Sequence, residues 1–322
     1  MNTKKIILDI LSFILAIAVL FFLGAEVFKN WAQIRTFSFH FNYFFLASAS
    51  LSYVASFLIL GFGWHLLNYY LNYHIPLIKS LLYFLITQPA KYIPGKVWVA
   101  VMRMKFLHAH KVPDSITLLV AGIEAIMEVF AGCYISVIAL MQVGLPHKFS
   151  VWGIVVATVL GLVLLIPDVF YFFVNIYLRI VKKDQIEKNQ RVSFTKLLIL
   201  QVTYVLAMLG LGISNFLFLQ SFAPVGGEQF IFLISIGTFS YVASILWLFT
   251  PSGLGAREGV WFFALRKIST PHIALIFTVA SRLWTIALDI VMALVAYPIL
   301  LIVRRKACHD EPVEGRQGHH DS

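Results

Sequence analysis

Charge is scarce in this chain. Only 12% of its 322 residues are Asp, Glu, Lys or Arg, whereas 60% are hydrophobic, and the mean hydropathy is +0.86. A soluble globular domain carries about a quarter charged residues. The composition therefore excludes an ordinary soluble fold and points to an all-α, polytopic membrane protein. Cysteine is scarcer still: Cys133 lies in an apolar run and Cys308 in a polar C-terminal stretch. Two such residues make neither a disulfide framework nor a metal-type spacing. His108 and His110 lie near a loop, and His309, His319 and His320 lie in the tail; all read as solvated polar residues, so no metal is expected. No G-x-x-x-x-G-K-[ST] run is present, which excludes P-loop nucleotide hydrolysis. No cofactor is expected, and no convincing nucleophile marks a catalytic residue.

What the chain has is cationic excess, 25 Lys+Arg against 15 Asp+Glu, a formal charge of +10. In a soluble protein this would suggest nucleic acid. Here the cations fall between or beside apolar runs, so the positive-inside rule explains them and no nucleic-acid partner is expected. A span needs about 20 apolar residues. Residues 6–23 follow Lys4 and Lys5 and are too long for a secretory signal core. They read as a first span with a cytoplasmic N-terminus. Further candidates are residues 41–71, 76–107, 116–143, 151–178, 197–219, 229–266 and 273–303. Between them, residues 179–196 form a polar loop in which Arg179, Lys182, Lys183, Lys188, Arg191 and Lys196 face only Asp184 and Glu187. Arg304, Arg305 and Lys306 close the last span. Both signals place the C-terminus in the cytoplasm, in one domain over residues 1–306 with a disordered polar tail at 307–322.

Two candidates are interrupted. The first contains "KYIPGKVW", with Pro94 and Gly95 between Lys91 and Lys96, and Arg103 beyond. The second contains "TPSGLGAREG", with Pro251, Ser252, Gly253 and Gly255 before Arg257 and Glu258. If each enters and leaves on one face, six full spans result; if residues 229–249 cross fully, an eight-span variant follows. A helix with intramembrane charge comes after each break: Glu124 and Glu128, then Arg282 and Asp289. Taken as repeats, the opposite entry faces of the two segments make the topology inverted, a common transporter plan.

These motifs, in this order, resemble the lysylphosphatidylglycerol synthase transmembrane region family, over about Leu11 to Arg305. That family includes the flippase part of bacterial multiple peptide resistance factors and stand-alone flippase-like proteins. The resemblance implies a polytopic protein of the bacterial inner membrane that moves or handles lipids. The chain departs from the pattern where the family often has Glu-Arg followed by Asp: here Glu124-Ala125 is followed by Glu128. The aminoacyl-transferase domain of the full-length proteins has no counterpart in the sequence, so synthase activity is not expected.

Irregular backbone at membrane depth survives only against protein or a wet cavity. A half-helix beginning after each break would aim its electropositive end at an anion. Lys91, Lys96, Arg103, Ser252, Arg257 and Arg282 are accordingly the expected substrate-binding residues, for a lipid phosphate. Pro94, Gly95, Pro251, Gly253 and Gly255 are the expected hinges. Glu124, Glu128, Glu258 and Asp289 are the expected charge-coupling acids, since intramembrane ionisable residues are functional by default. Glu124 and Glu128 share one helix face, and a structural ion pair such as Glu128 with Arg282 competes with proton coupling or a cationic headgroup. Lys91, Lys96 and Lys105 could equally snorkel to headgroups. Asp168, behind Pro167, reads as a kink with a locally satisfied carboxylate. The many Phe and Tyr residues read as packing bulk. The expected function is a flippase whose substrates and partners are membrane phospholipid or polyprenyl phosphate, energised by a gradient or merely equilibrating lipid. The alternatives are a membrane-embedded enzyme acting on such lipids, or a partner subunit of a lipid-modifying enzyme.

Overall fold

The computed structural model describes residues 41–93, 98–142, 156, 159–180, 191–247 and 251–309. The expected first span at 6–23, the core of the hinge at Pro94 and Gly95, the cation Lys96, residues 181–190 of the polar loop and the tail from 310 lie outside them. The described chain is helical, with no strand among those residues. In order the helices are α1 Tyr43–Tyr70, α2 Leu77–Thr87, α3 Trp98–Leu107, α4 Asp114–Gln142, α5 Pro167–Ile180, α6 Phe194–Gln220, α7 Phe230–Leu246, α8 Ala256–Leu265 and α9 Pro271–His309. Among the described residues, Tyr43–Tyr70, Asp114–Val137, Phe194–Gln220, Gly227–Leu246 and Pro271–Arg305 are long and apolar enough to cross a membrane. The second segment expected to be interrupted, residues 229–266, thus contains one stretch able to cross unaided. α9 also runs three residues past the expected domain end at 306.

Local chemistry sets the ends of α1. Asn42 accepts hydrogen bonds from the amides of Phe44 (3.1 Å) and Phe45 (3.5 Å), satisfying two donors that a helix start leaves unpaired. At the other end Asn72 takes a left-handed φ of 66°. The Tyr73 amide bonds the Asn68 carbonyl at 2.9 Å and the Asn72 amide bonds the Tyr69 carbonyl at 3.0 Å, the paired bonds of a Schellman stop. Asp168 sits in the first turn of α5 behind Pro167 and bonds Arg191 at 2.6 Å, so its carboxylate is satisfied as expected.

Lipid tails are as apolar as leucine, so helices in a bilayer associate through close packing and interhelical hydrogen bonds. α1 and α6 form the longest such seam. The Ser52 hydroxyl donates to the Gly210 carbonyl and the Ser214 hydroxyl to the Ala49 carbonyl, each at 2.9 Å. α7 lies across α4 and α6, where Gly237 approaches Gly212 so closely that an added Cβ would sit 3.3 Å from its Cα. Lipid-facing positions carry exposed Leu, Ile, Val and Phe, as on α9 at Leu283, Ile290, Leu294 and Ile302.

The two broken segments have parallel layouts. α2, the tight turn Gln88–Tyr92 and the ten-residue α3 precede long α4; α7, the turn Pro251–Gly253 and the ten-residue α8 precede long α9. The halves are cross-packed: α2 lies on α9, α7 lies on α4, and the two turns touch each other.

Candidate functional site

The breaks meet at a cavity of about 260 Å³ in the centre of the bundle. Its wall includes Lys91, Arg103, Arg257 and Arg282 together with Glu124 and Glu128. Asp289 and Glu258 are buried immediately behind it, at 0% and 4% exposure. Ser252 also lines it. Every expected binding and coupling residue that the structure describes therefore gathers at one place.

The second hinge is built by backbone conformation. Ser252, Gly253 and Gly255 have φ of 49°, 64° and 94°, a left-handed run that glycine adopts without strain and other residues do not. A Cβ on Gly253 would collide with the backbone and side chain of Ser244 at the end of α7. Glu258 then folds back so that its carboxylate accepts the Gly255 amide at 2.7 Å, covering one of the free donors of the α8 start. The first hinge closes with the turn Gln88–Tyr92, Pro89 at its start, and α3 resumes at Trp98.

Three ion pairs fix the walls. Arg103 forks onto Glu124, with both Nη groups donating to its two carboxylate oxygens, the second at 3.2 Å. Its guanidinium lies over Trp64 (5.1 Å) and Phe84 (4.7 Å), and Nε reaches Thr87 at 3.5 Å. Planar bidentate pairing and aromatic stacking are what arginine does better than lysine. Lys91 bonds Asp289 at 2.8 Å, and the hydroxyls of Tyr92 (2.5 Å) and Tyr53 (3.1 Å) donate to the same carboxylate. Arg282 donates from both Nη groups to the Ser252 carbonyl, at 3.4 and 3.3 Å. Its Nε faces Glu258 at 3.5 Å, a distance that gives Coulomb attraction without a well-formed hydrogen bond.

The pairing differs from the sequence expectation. Arg282 was a candidate partner for Glu128. Instead Arg282 turns to Glu258 and the second hinge. Arg257 reaches the Asn215 side-chain oxygen at 3.4 Å. Asp289, seven residues from Arg282, is held by Lys91. Among the described residues, Arg257 is the wall cation with no carboxylate within ion-pair distance, and Glu128 is the wall acid with no cation within it. Tyr241 also lines this wall, within electrostatic reach of Glu128.

Among the polar wall residues that sequence reasoning passed over are Tyr53, Tyr92, Tyr241 and Asn215. Tyr92 lies inside the first motif and could have been found there. The others sit in mid-helix among 13 tyrosines and many apolar neighbours, with no positional signal.

A bundle of membrane-length helices, broken twice around a charged central cavity, defines a multi-pass membrane protein with an internal polar site. The model of the family described as lysylphosphatidylglycerol synthase TM region matches residues 9–293. The match covers most of the chain, and the chain belongs to that family, a membrane domain of lipid-related proteins. Comparison with curated proteins gives no match.

Proposed function

We propose that the protein is a lipid carrier of the bacterial inner membrane, with both termini cytoplasmic, that seats a phosphate-bearing headgroup in the central cavity while the acyl chains remain in the bilayer. One observation supports this above the others. Both broken segments converge on one charged cavity in which Arg257 keeps its guanidinium uncommitted to any carboxylate among the described residues. Arginine binds phosphate through two parallel hydrogen bonds, and the start of α8 adds backbone donors beside it.

The ion pairs supply the two-state element that transport needs. Lys91–Asp289 and Arg282–Ser252 tie the two hinges to α9, and Arg103–Glu124 ties α3 to α4. A phosphate entering near Lys91 or Arg282 competes with those carboxylates and loosens the wall on one side. Departure of the headgroup lets the pairs re-form. A ligand moves such an equilibrium by its differential affinity for the two states.

The test is reconstitution into vesicles with acyl-labelled phospholipids and polyprenyl phosphates, read by quenching of label in the outer leaflet. Wild type should equilibrate at least one lipid well above empty vesicles, and Arg257→Gln should abolish most of that rate with thermal stability intact. No movement of any lipid, or full activity in Arg257→Gln, rejects the carrier reading.

A further inference from the structure

Among the described residues, charges at the cavity are in balance: four cations (Lys91, Arg103, Arg257, Arg282) accompany four acids (Glu124, Glu128, and Glu258 and Asp289 just behind the wall), and three of each are consumed in the pairs described above. What remains is one arginine and one glutamate, Arg257 and Glu128, on the wall of the same cavity. Arg257 comes from the first turn of α8 and Glu128 from the middle of α4. Tyr241 of α7 is within electrostatic reach of both. Glu128 is 8% exposed, so its carboxylate is withdrawn from bulk water, where a buried charge is costly without a partner.

We propose that the occupant is a zwitterionic phospholipid headgroup with one phosphate and one primary ammonium, the phosphate on Arg257 and the ammonium on Glu128. This rests on the carrier reading above and names its substrate class. A headgroup with phosphate alone would bring its negative charge into a cavity where Glu128 is already uncompensated. A neutral occupant of opposite ends leaves the total unchanged and matches both unpaired groups at once. The wall also suits an ammonium around Glu128. Tyr241, within electrostatic reach of Glu128, lines the same cavity, and aromatic ring faces attract organic cations. A cavity of about 260 Å³ has room for an ethanolamine phosphate and leaves the glycerol and acyl chains outside.

The experiment measures binding by titration calorimetry on the purified full chain in detergent. The probes are dihexanoyl phosphatidylethanolamine, its N-acetyl derivative, which keeps the phosphate and removes the ammonium, and dihexanoyl phosphatidylglycerol. The ethanolamine lipid should bind about tenfold more tightly than either other probe, the size expected of a charge-assisted hydrogen bond shielded from water. Glu128→Gln should erase that preference without weakening the other two, and Glu128→Asp should restore part of it. Equal affinity for all three probes in the wild type overturns the inference, and that comparison stands even if Glu128→Gln fails to fold. A preference that survives Glu128→Gln overturns it too. Selective binding without translocation in vesicles would instead support the headgroup subsite and reject the carrier reading.

Discussion

Replacing Asp289 should weaken the fold sharply, and replacing it together with Lys91 should weaken it less. Asp289 is fully buried and accepts from Lys91 (2.8 Å), Tyr92 (2.5 Å) and Tyr53 (3.1 Å). In Asp289→Asn one of these oxygens becomes an amide donor. Whichever way the amide faces, the Lys91 ammonium loses its counter-charge and is left largely buried. Removing one member of a buried ion pair costs about 3–5 kcal/mol. The Lys91 side chain keeps 23% exposure, which puts the expected loss near the lower end, about 3 kcal/mol. At roughly 2 °C per kcal/mol for a chain of this size, the unfolding midpoint should fall by about 6 °C. Lys91→Met with Asp289→Leu removes both charges, and swapping a buried pair for apolar residues is often neutral. The double variant should therefore recover part of the stability, the hydroxyls of Tyr53 and Tyr92 having lost their acceptor, while remaining inactive in vesicles, because the first hinge is no longer tied to α9. The assay is tryptophan-monitored thermal unfolding in detergent, run beside lipid equilibration. Asp289→Asn melting within a degree of wild type would refute the buried pair, and an active double variant would refute its role in the hinge.

Three further outcomes follow from the same geometry. Gly253→Ala should lower stability by at least about 2 kcal/mol, since a left-handed φ costs a side-chain residue roughly 1–2 kcal/mol before the clash with Ser244; a midpoint equal to wild type would argue against the turn. Arg103→Lys keeps the charge but loses the fork on Glu124 and the stack on Trp64 and Phe84, so a loss of about 1–3 kcal/mol is expected in the same unfolding assay. His110, in the turn after α3, is held below its ordinary value of 6.5 by burial and then by Lys79 and Arg304. The unfolded chain thus binds the proton more readily, and stability should be complete above pH 6.5 and decline as pH falls below it. His110→Gln should flatten that decline, and an unchanged slope would count against it.

The two breaks were legible because proline and glycine act locally: a pyrrolidine ring or a missing Cβ marks a turn wherever the chain later packs. The short helices after them, α3 and α8, begin close to the expected positions. Helical spacing likewise showed that Glu124 and Glu128 share a face. The partners of those acids were not legible. Spacing fixes the side of a helix on which a carboxylate stands but not which neighbour lies opposite, and that depends on the crossing of α2 with α9 and of α7 with α4. Glu124 meets Arg103 because α3 folds back along α4, whereas Arg282 is drawn to the Ser252 carbonyl by the left-handed turn. The tyrosines were invisible for another reason. In a chain with 15% aromatic residues, a hydroxyl facing a cavity has the same sequence context as one facing a headgroup.

Asp289 and Arg282 stand two turns apart on α9, about 10 Å along its axis, and each grips a different break. A single helix thereby yokes the two breaks. Neither can be remodelled without tugging on the other unless α9 itself bends or releases one of its grips.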